Sequence, residues 1–446
     1  VSHEVPSDRV LSTLNRDGTR RWIRPKLARG RFLRRRQIVG YALIALFVLL
    51  PRLRFGGRPA FLLDLEAREL DLFGAVFRPS DGFVLALVGI AIVISVFLVT
   101  ALFGRVWCGW GCPQTVYLEH VFRPIERWLE GSRRQRASIP RKAVKWTIYA
   151  ALSFALANVF LAYFVGTDRL EHWVFHSPLE HVGGFMIVIG VSALMLFDYG
   201  WFREQMCIVA CPYGRLQTVL LDRQSLIVAY DQRRGEPRAP AKKRLPVVNH
   251  GDCVDCRACV AVCPTGIDIR EGLQMECIGC AQCIDACDAV MTKLKRPQGL
   301  IRYTSEEPGK LLRARTVIYP VVLALALGML AWRLGARTGT EVWVERIEGP
   351  AFVALPDGNI ASQARIKIEN ESDTPRSYTL SVPGLRSAAT WQARPRASIT
   401  IPVMVDVPRG RFIHGEKKVE IQIRDDAGGT RAVALTLFGP DDGGSR

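Results

Sequence analysis

Eight cysteines lie within 35 residues, in CVDCRACVAVCP at 253–264 and CIGCAQCIDACD at 277–288. Each run spells C-x2-C-x2-C-x3-C, the spacing of bacterial two-cluster ferredoxins. Three thiolates of a run fold around one cubane, and the fourth is carried by the next turn to the other. The spacing therefore assigns Cys253, Cys256, Cys259 and Cys287 to one 4Fe–4S cluster. Cys277, Cys280, Cys283 and Cys263 fall to the second. Zinc competes, because C-x-x-C pairs also build zinc sites. The doubled three-plus-one spacing, with Pro264 behind the fourth Cys, favours iron–sulfur. Asp288 stands where the second run would place its proline, which alters a turn and leaves the ligands intact. Only 13 residues separate Cys263 from Cys277, so the two centres must be neighbours. The expected chemistry is one-electron transfer.

The other four cysteines form two matching motifs, CGWGCP at 108–113 and CIVACP at 207–212. Each follows an apolar run, has an Arg shortly before it (Arg105, Arg203) and a Q-T pair further on. This reads as an internal duplication of a two-span unit, a common way to build paired sites in membranes. If each motif is helical, its cysteines share a face, since i and i+4 are neighbours. Pro113 and Pro212 should kink or end that helix. Cys108, Cys112, Cys207 and Cys211 would then converge as soft donors, suited to Cu(I), zinc or iron–sulfur. Arg105 and Arg203 would favour the thiolates. A lone Cys is often a small buried hydrophobe; four in matched motifs point to a metal or redox role. Copper or a reversible disulfide is the favoured form, ahead of a third cluster.

Such a site needs a frame. With 446 residues the chain exceeds one ordinary domain, and 60 Lys+Arg face 42 Asp+Glu. A basic balance suits nucleic acid or a membrane surface, and the apolar runs choose the membrane. Five stand out: Ile38–Leu50, Gly82–Phe103, Trp146–Val165, Val182–Phe197 and Thr316–Trp332. The second and third reach the ~20 residues that cross a bilayer. The others are shorter, the first most of all, and flanking Trp, Tyr and Arg would extend them. Charge supports five spans. Segments 1–37, 104–145 and 203–315 together carry 38 Lys/Arg against 19 Asp/Glu, while 51–81, 166–181 and 333–446 carry 22 of each. The positive-inside rule then puts the N-terminus and segment 203–315 in the cytoplasm, and the C-terminal part outside. The Arg cluster RFLRRR at 31–36 becomes a topology anchor, and no small-residue cleavage site follows the first run. All twelve cysteines fall on the reducing side or at its edge, so structural disulfides are not expected.

The expected fold is thus a polytopic α-helical membrane protein of five spans, with a cytoplasmic α+β two-cluster ferredoxin domain and a C-terminal immunoglobulin-like β-sandwich. Its parts are a basic cytoplasmic segment 1–37, four helices within 38–202 with the second motif reaching 212, and segment 203–315 with the ferredoxin at about 245–300. A fifth helix at 316–334 and an outer domain at 335–446 complete it. ARIKIEN, SYTLSV, ASITIPVMVDV, KKVEIQIRD and RAVALTLFG alternate with period two, and PDG, NESD, PG and DDAGG supply turns, the pattern of an antiparallel sandwich. Its expected role is docking to a partner or simple stabilisation. His172, His176 and His181 crowd one outer loop, either as a metal or haem site or as interfacial histidines among aromatics. His120 is a candidate to join the inner thiols, and Asn158 is expected to bond between helices. No G-x-G-x-x-G after a strand, P-loop or C-x-x-C-H appears, so nicotinamide, ATP and haem chemistry have no motif here.

WCGWGCPQT, CIVACPYGR, the double ferredoxin motif, RPAFLLDLEARELDLFG at 58–74 and the outer domain opening near KIENESD carry a resemblance. The chain resembles, over nearly its whole length, the cytochrome c oxidase accessory proteins of the FixG/CcoG/RdxA type. The resemblance implies a bacterial inner-membrane, iron–sulfur-dependent oxidoreductase that reduces Cu(II) to Cu(I) for assembly of cbb(3)-type cytochrome c oxidase. By that carry-over Cys108, Cys112, Cys207 and Cys211 are the copper or redox cysteines. The implied partners are the lipid bilayer, copper ions as substrate or bound ion, the oxidase or its copper-handling factors, and a cytoplasmic electron donor; nucleic acid is not among them. Two other readings stand beside it. One is a quinol dehydrogenase subunit similar to membrane polyferredoxins of periplasmic nitrate reduction, told apart by redox response to quinol. The other is a copper-holding scaffold without turnover, in which copper delivery would survive loss of the clusters.

Overall fold

The computed structural model describes residues 9–440 apart from 16, 79–80, 132–137, 222–223, 240–249, 306–313, 336–339, 346–351, 371, 373, 383–389 and 396. The expected start of the ferredoxin at 245–249, parts of the NESD turn and the PG turn at 383–384 lie outside the described residues. The chain divides at Leu330 into two units.

The first unit is built on helices. Among the described residues, four are long and apolar enough to cross a membrane: Gly82–Phe103, Ile139–Val165, Val182–Phe202 and Ala314–Arg333. Each lacks charge through its middle, so only helix can satisfy its backbone in lipid. Helix α1, Arg31–Leu49, differs. Four of its first six residues are arginine, so its uncharged stretch begins only after Arg36. Helix α2 is Gly82–Phe103, and it stops where Gly104 takes φ +58°. The backbone then turns into the short α3, Val106–Trp110, and α4, Pro113–Tyr117. A π-turn at Leu118–Phe122 leads into α5, Arg123–Glu130. Helices α6 (Ile139–Val165), α7 (Thr167–Phe175) and α8 (Val182–Phe197) follow, and α9, Pro212–Leu220, closes the second motif. Between α1 and α2, the strands Phe61–Asp64, Glu69–Leu72 and Ala75–Phe77 form an antiparallel meander. Arg54 pairs with Asp168 at 2.5 Å and Arg169 with Asp64 at 3.3 Å, so the meander sits by the start of α7.

The ferredoxin part is small. Strand Ile227–Tyr230 pairs antiparallel with Ile301–Thr304, Ile227 opposite Thr304. Between them lie α10 (Gln232–Gly235), α11 (Ala258–Ala261) and α12 (Gln282–Lys293). Its core is thin, built from Val228, Ile267, Ile269, Ile284, Met291, Leu300 and Ile301 with the cysteines themselves. A core this small would draw stability from a metal centre bound by its cysteines. Helix α12 also holds the membrane part. The Asp285 carboxylate accepts the N–H of Phe32 at 3.1 Å and of Leu33 at 2.8 Å, satisfying two orphan donors of α1. Gly30 leaves room for it, since a Cβ there would meet Asp285 Cγ at 2.3 Å. Asp285→Ala is expected to cost about 1–2 kcal/mol, the usual value of a helix cap. Thermal unfolding followed by cluster absorbance should show the lower midpoint, with Asp285→Asn recovering part of it.

After the end of helix α13, Ala314–Gly335, the described residues of the second unit form strands, with one short 3-10 turn at Arg409–Arg411. In one sheet, Asn359–Asn370 is flanked by Thr340–Glu345, Phe352–Ala354 and Ser398–Pro408. The other runs Thr390–Ala393, Arg376–Ser381, Glu416–Asp425, Thr430–Phe438, all antiparallel. Alternate residues point inward, as period two demands: Ile366, Ile368, Leu380, Ile401, Val403, Val405, Ile421, Ile423, Leu435 and Leu437 share one core between the sheets. Tyr378 is buried with them, its hydroxyl 3.1 Å from that of Thr340.

Candidate functional site

The eight ferredoxin cysteines gather in two fours. A cavity of about 330 Å³ is lined by Cys253, Cys256, Cys259 and Cys287, among other residues. A second, of about 360 Å³, is lined by Cys263, Cys277, Cys280 and Cys283, and by Cys259, which lines both. Residues Arg257 and Ala281, each directly after the second Cys of its run, take φ of +54° and +60°. Asp255 and Gly279, directly before that Cys, take φ of +49° and +64°, and together these left-handed steps turn each C-x-x-C-x-x-C loop around its cavity. Burial first, then neighbouring thiols, pushes Cys287 up to about 12; burial likewise lifts Cys277 to about 12 and Cys280 to about 11. Bare, these groups are neutral thiols; only a cationic centre would hold them together as thiolates. Among the described residues, no three His, Cys, Asp or Glu side chains are drawn into a cage for a single ion. Four thiols spread around one cavity suit a cluster better than a lone zinc, which needs a closed tetrahedron.

The membrane motifs are not straight helices. Pro113 and Pro212 begin new helices at their first turn, with Cys112 and Cys211 as extended N-caps at ψ 126° and 112°. The expected break at each proline is there, and the condition for a shared helical face is not met: proline has no N–H to carry a helix through, but suits position N1. The leading cysteines lie one step earlier, Cys108 in α3 and Cys207 in a π-turn at Met206–Ala210. The N–H of Cys112 reaches back to Trp107 O, and that of Cys211 to Met206 O, the same five-residue loop in both. The turn before each motif also repeats. Gly104 has φ +58° and ψ −129°; Arg203 has +56° and −122°, each four residues before its Cys. The duplication thus pairs Arg203 with Gly104 rather than with Arg105. The Q-T pairs slip by one helical turn, Gln114 lying two residues after Cys112 and Gln217 six after Cys211.

The four thiols lie near enough to act on one another's ionisation, though among the described residues no three of them form a cage for one ion. The charges of Cys112, Cys108 and Cys211 all oppose ionisation of Cys207, and Cys112 and Cys211 oppose that of Cys108. Burial dominates: it pushes Cys108 up to about 12, raises Cys112, and takes Cys207 well above the usual thiol range. The opposing groups are local. N–H groups of Thr115 and Gln114, at the start of α4, favour the Cys112 thiolate. Arg105 favours that of Cys108 without overcoming burial. Two side chains cross between the repeats: Cys108 Sγ lies 3.1 Å from Gln217 Oε1, and the Thr115 hydroxyl hydrogen-bonds Cys207. Gln217 is fully buried, and its amide nitrogen has no partner among the described residues. Arg203 does not serve the thiols. It donates to Glu126 at 3.3 and 2.6 Å, inside a buried network in which Glu204 binds Arg123 at 3.0 Å and Arg20 at 3.1 Å. π-turns are rare and cluster at functional sites; here they lie at 118–122, 198–202 and 206–210.

The first motif and the second cavity touch. A Cβ at Gly109 would lie 2.6 Å from Ile278 O and 2.8 Å from Cys280 Cα. Only glycine lets the C-G-W-G-C turn and the Cys277–Cys283 loop meet backbone to backbone. Arg36, 1% exposed, donates its Nε to Gly109 O at 2.9 Å. Arg105 donates to the carbonyls of Met275, Gly214 and, at 3.1 Å, Cys277. Trp110 Nε1 donates to the Tyr303 hydroxyl at 3.1 Å, which donates to Gly279 O at 2.6 Å. Motif spacing gave no sign of this contact, because its partners are about 170 residues apart.

The weaker candidates separate from this site. His120 packs its ring on Gly40 and Tyr41 of α1; the charges acting on it are Arg36, Glu119 and Arg127, with no thiol among them. His172 and His176 stack at 3.8 Å, while His181 stacks on Trp173 at 4.4 Å. Asn158 donates to Phe154 O in its own helix at 2.8 Å, not to another helix. Asp198 accepts from Gln114 at 3.1 Å, joining the end of α8 to the first motif.

Comparison with known proteins gives three family matches. Residues 202–306 match a 4Fe-4S dicluster domain, residues 85–133 a 4Fe-4S binding domain, and residues 330–440 the IG-like fold at the C-terminal of FixG. The chain is 34% identical to Protein RdxA of Cereibacter sphaeroides, covering 86% of this chain and 89% of RdxA. It is 32% identical to Nitrogen fixation protein FixG of Rhizobium meliloti, covering 94% and 93%. A shorter similarity, 26% identical over 46% of this chain and 66% of the relative, joins it to Ferredoxin-type protein NapH of Haemophilus influenzae.

Proposed function

The chain belongs to the FixG/RdxA family of membrane-associated 4Fe–4S electron-transfer proteins, and from that premise we propose that it reduces Cu(II) to Cu(I) at the four membrane cysteines, for assembly of a cbb(3)-type cytochrome c oxidase. The observation that carries this reading is the contact of Gly109 with the Ile278–Cys280 backbone, which sets the ferredoxin directly against the thiols. Cys253, Cys256, Cys259 and Cys287 hold one 4Fe–4S cluster, and Cys263, Cys277, Cys280 and Cys283 the other. Bound there, the clusters supply one-electron transfer at low potential. Cys256, the exposed thiol of the eight, marks the side where electrons enter; the Cys277–Cys283 loop marks the side where they leave. Copper is the substrate. Cu(II) takes up one electron and becomes Cu(I), the state that soft thiolates prefer. Cys108, Cys112, Cys207 and Cys211 bind it, with Gln217 and Thr115 fixing the leading cysteines. A two-thiolate hold is enough for Cu(I).

The topology in this reading has five spans. Asp285 of the ferredoxin holds the start of α1, and Phe47 near its end accepts from Tyr163, close to the end of α6. Helix α1 therefore runs from one end of the bundle to the other and supplies the fifth crossing. The N-terminus and ferredoxin are cytoplasmic, by their excess of Lys and Arg, and the immunoglobulin-like unit lies in the periplasm of a bacterial inner membrane.

The test uses anaerobic protein with chemically reduced clusters, excess Cu(II), and a Cu(I)-specific chelator. Cluster oxidation by EPR should match Cu(I) formed, one for one. Replacing all four of Cys108, Cys112, Cys207 and Cys211 by Ser should slow both about 100-fold or more with iron content unchanged. Clusters that stay reduced in Cu(II) would sink the proposal, and oxidation by a quinone instead would favour the quinol reading.

A further inference from the structure

The electron donor also needs a place to bind. A cleft of about 610 Å³ opens between the N-terminal segment and the ferredoxin, lined by Arg21, Trp22 and Arg24 on one wall and Arg257, Cys263 and Gly266 on the other. Its lining carries three guanidinium groups and no carboxylate. The N-terminal wall is fixed in place. Lys26 N–H donates to Ala261 O at 2.8 Å, Arg24 pairs with Glu130 at 2.9 Å, and Ile23 is buried against Gly266.

Position and charge single this cleft out. Cys263 lines both the cleft and the second cluster cavity, and Arg257 lines both the cleft and the first. Arg257 follows the exposed Cys256, and its own side chain is 75% exposed. The left-handed turn does not ask for arginine there: its counterpart Ala281 makes the same turn, buried. Trp22 stands half exposed on the rim, with the Arg20 guanidinium 4.0 Å from its ring. Arg24 is paired with Glu126 and Glu130, and Arg257 lies 3.9 Å from Asp255, so the positive excess of the cleft rests chiefly on Arg21. An Arg- and Trp-lined surface is the kind that protein partners anchor on, and a positive excess steers an acidic partner toward it.

We propose that this cleft docks a small acidic one-electron carrier protein, which passes its electron to the cluster pair. The inference rests on the family's electron-transfer function and not on copper. Reduction of the oxidised chain, in nanodiscs of neutral lipid, would be followed by stopped flow. The probes are a reduced acidic flavodoxin and a reduced acidic 2Fe–2S ferredoxin, with reduced methyl viologen as a cationic small-molecule control. Wild-type rates with the protein donors should fall about tenfold or more from 20 to 300 mM salt, as for steered association. Arg21→Glu/Trp22→Ala should lower those rates at least tenfold at low salt and leave the viologen rate within twofold. Arg21→Gln/Trp22→Phe should fall between, and decides the matter if charge reversal costs iron. No salt dependence, or protein-donor rates unchanged in the double variants, overturns the proposal. So does a defect confined to vesicles of anionic lipid, which would make the cleft a headgroup contact. None of these outcomes depends on whether Cu(II) is the acceptor.

Discussion

Gly109→Ala should slow oxidation of the reduced clusters by Cu(II) by about tenfold to 100-fold while the iron content stays whole. The Cβ would be placed 2.6 Å from Ile278 O, 2.8 Å from Cys280 Cα and 2.9 Å from Cys280 N. All three are backbone atoms of the loop that wraps the second cavity, so no rotamer change relieves them. Either the loop or the motif must shift. Overpacking of this kind costs about 1–3 kcal/mol, which the many other contacts of this interface can absorb. The geometry of transfer cannot absorb it so easily, since displacements near 1 Å can cost up to ~100-fold in rate. The Arg36 and Trp110–Tyr303 hydrogen bonds would lengthen with it. Gly89→Ala is the matched control, because a Cβ there meets nothing within 4 Å. Stopped-flow absorbance under Cu(II), with iron and dithionite titration as checks, reads the result. A Gly109→Ala protein that transfers at the wild-type rate would mean that electrons do not leave through the Cys277–Cys283 loop.

How far the sequence carried this picture depends on the range of each interaction. The double C-x2-C-x2-C-x3-C run reads as two groups of four, and the two cavities are lined by cysteines along those lines with Cys259 reaching both, because the loop around each is local and is turned by left-handed residues on either side of its second Cys. Period-two alternation foretold the outer sandwich for a similar reason: ARIKIEN and KKVEIQIRD need only a facing sheet. The pairing of the two C-x-x-x-C-P motifs was legible as a repeat. Its frame was not. Arg105 and Arg203 look equivalent in sequence, but the backbone aligns Arg203 with Gly104, and the partner that takes Arg203 away from the thiols, Glu126, lies 77 residues off. A residue's charge is written in the sequence, and its partner is not. The same holds for Gly109, where glycine signals a close approach without saying to what. α1 shows the limit of counting apolar residues. Its Arg-rich start reads as an anchor, and the structure uses Arg36 as a buried strut between α1 and the first motif.

Arg203→Met is expected to lower stability by about 3–5 kcal/mol, the cost of stranding a buried charge. Arg203 and Glu126 are 4% and 7% exposed, and two hydrogen bonds join them. Methionine fills most of the arginine's volume, so the loss measures the abandoned Glu126 carboxylate more than a cavity. Arg203 also stands at the φ +56° turn that launches the second motif, so the damage should spread to Cys207 and Cys211, seen as faster alkylation of both by a thiol reagent while Cys253 and Cys287 stay protected by their cluster. The double variant Arg203→Met/Glu126→Gln should recover much of the stability, because the unpaired charge is gone, and little of the cysteine protection, because the turn is still unheld. The pair also predicts an acid limit. Burial raises the Glu126 pKa, but the charges of Arg203 and Arg24 and the hydrogen bonds outweigh it and hold the carboxyl below its usual range. A group depressed in the folded state gives stability that is present above its unfolded pKa and lost as pH falls through the folded one. The wild type should therefore lose stability on acidification below about pH 4.5, the ordinary value for Glu, and the double variant should lose less over the same interval. Equal acid slopes in the two proteins would show that this ion pair does not hold the second motif in place.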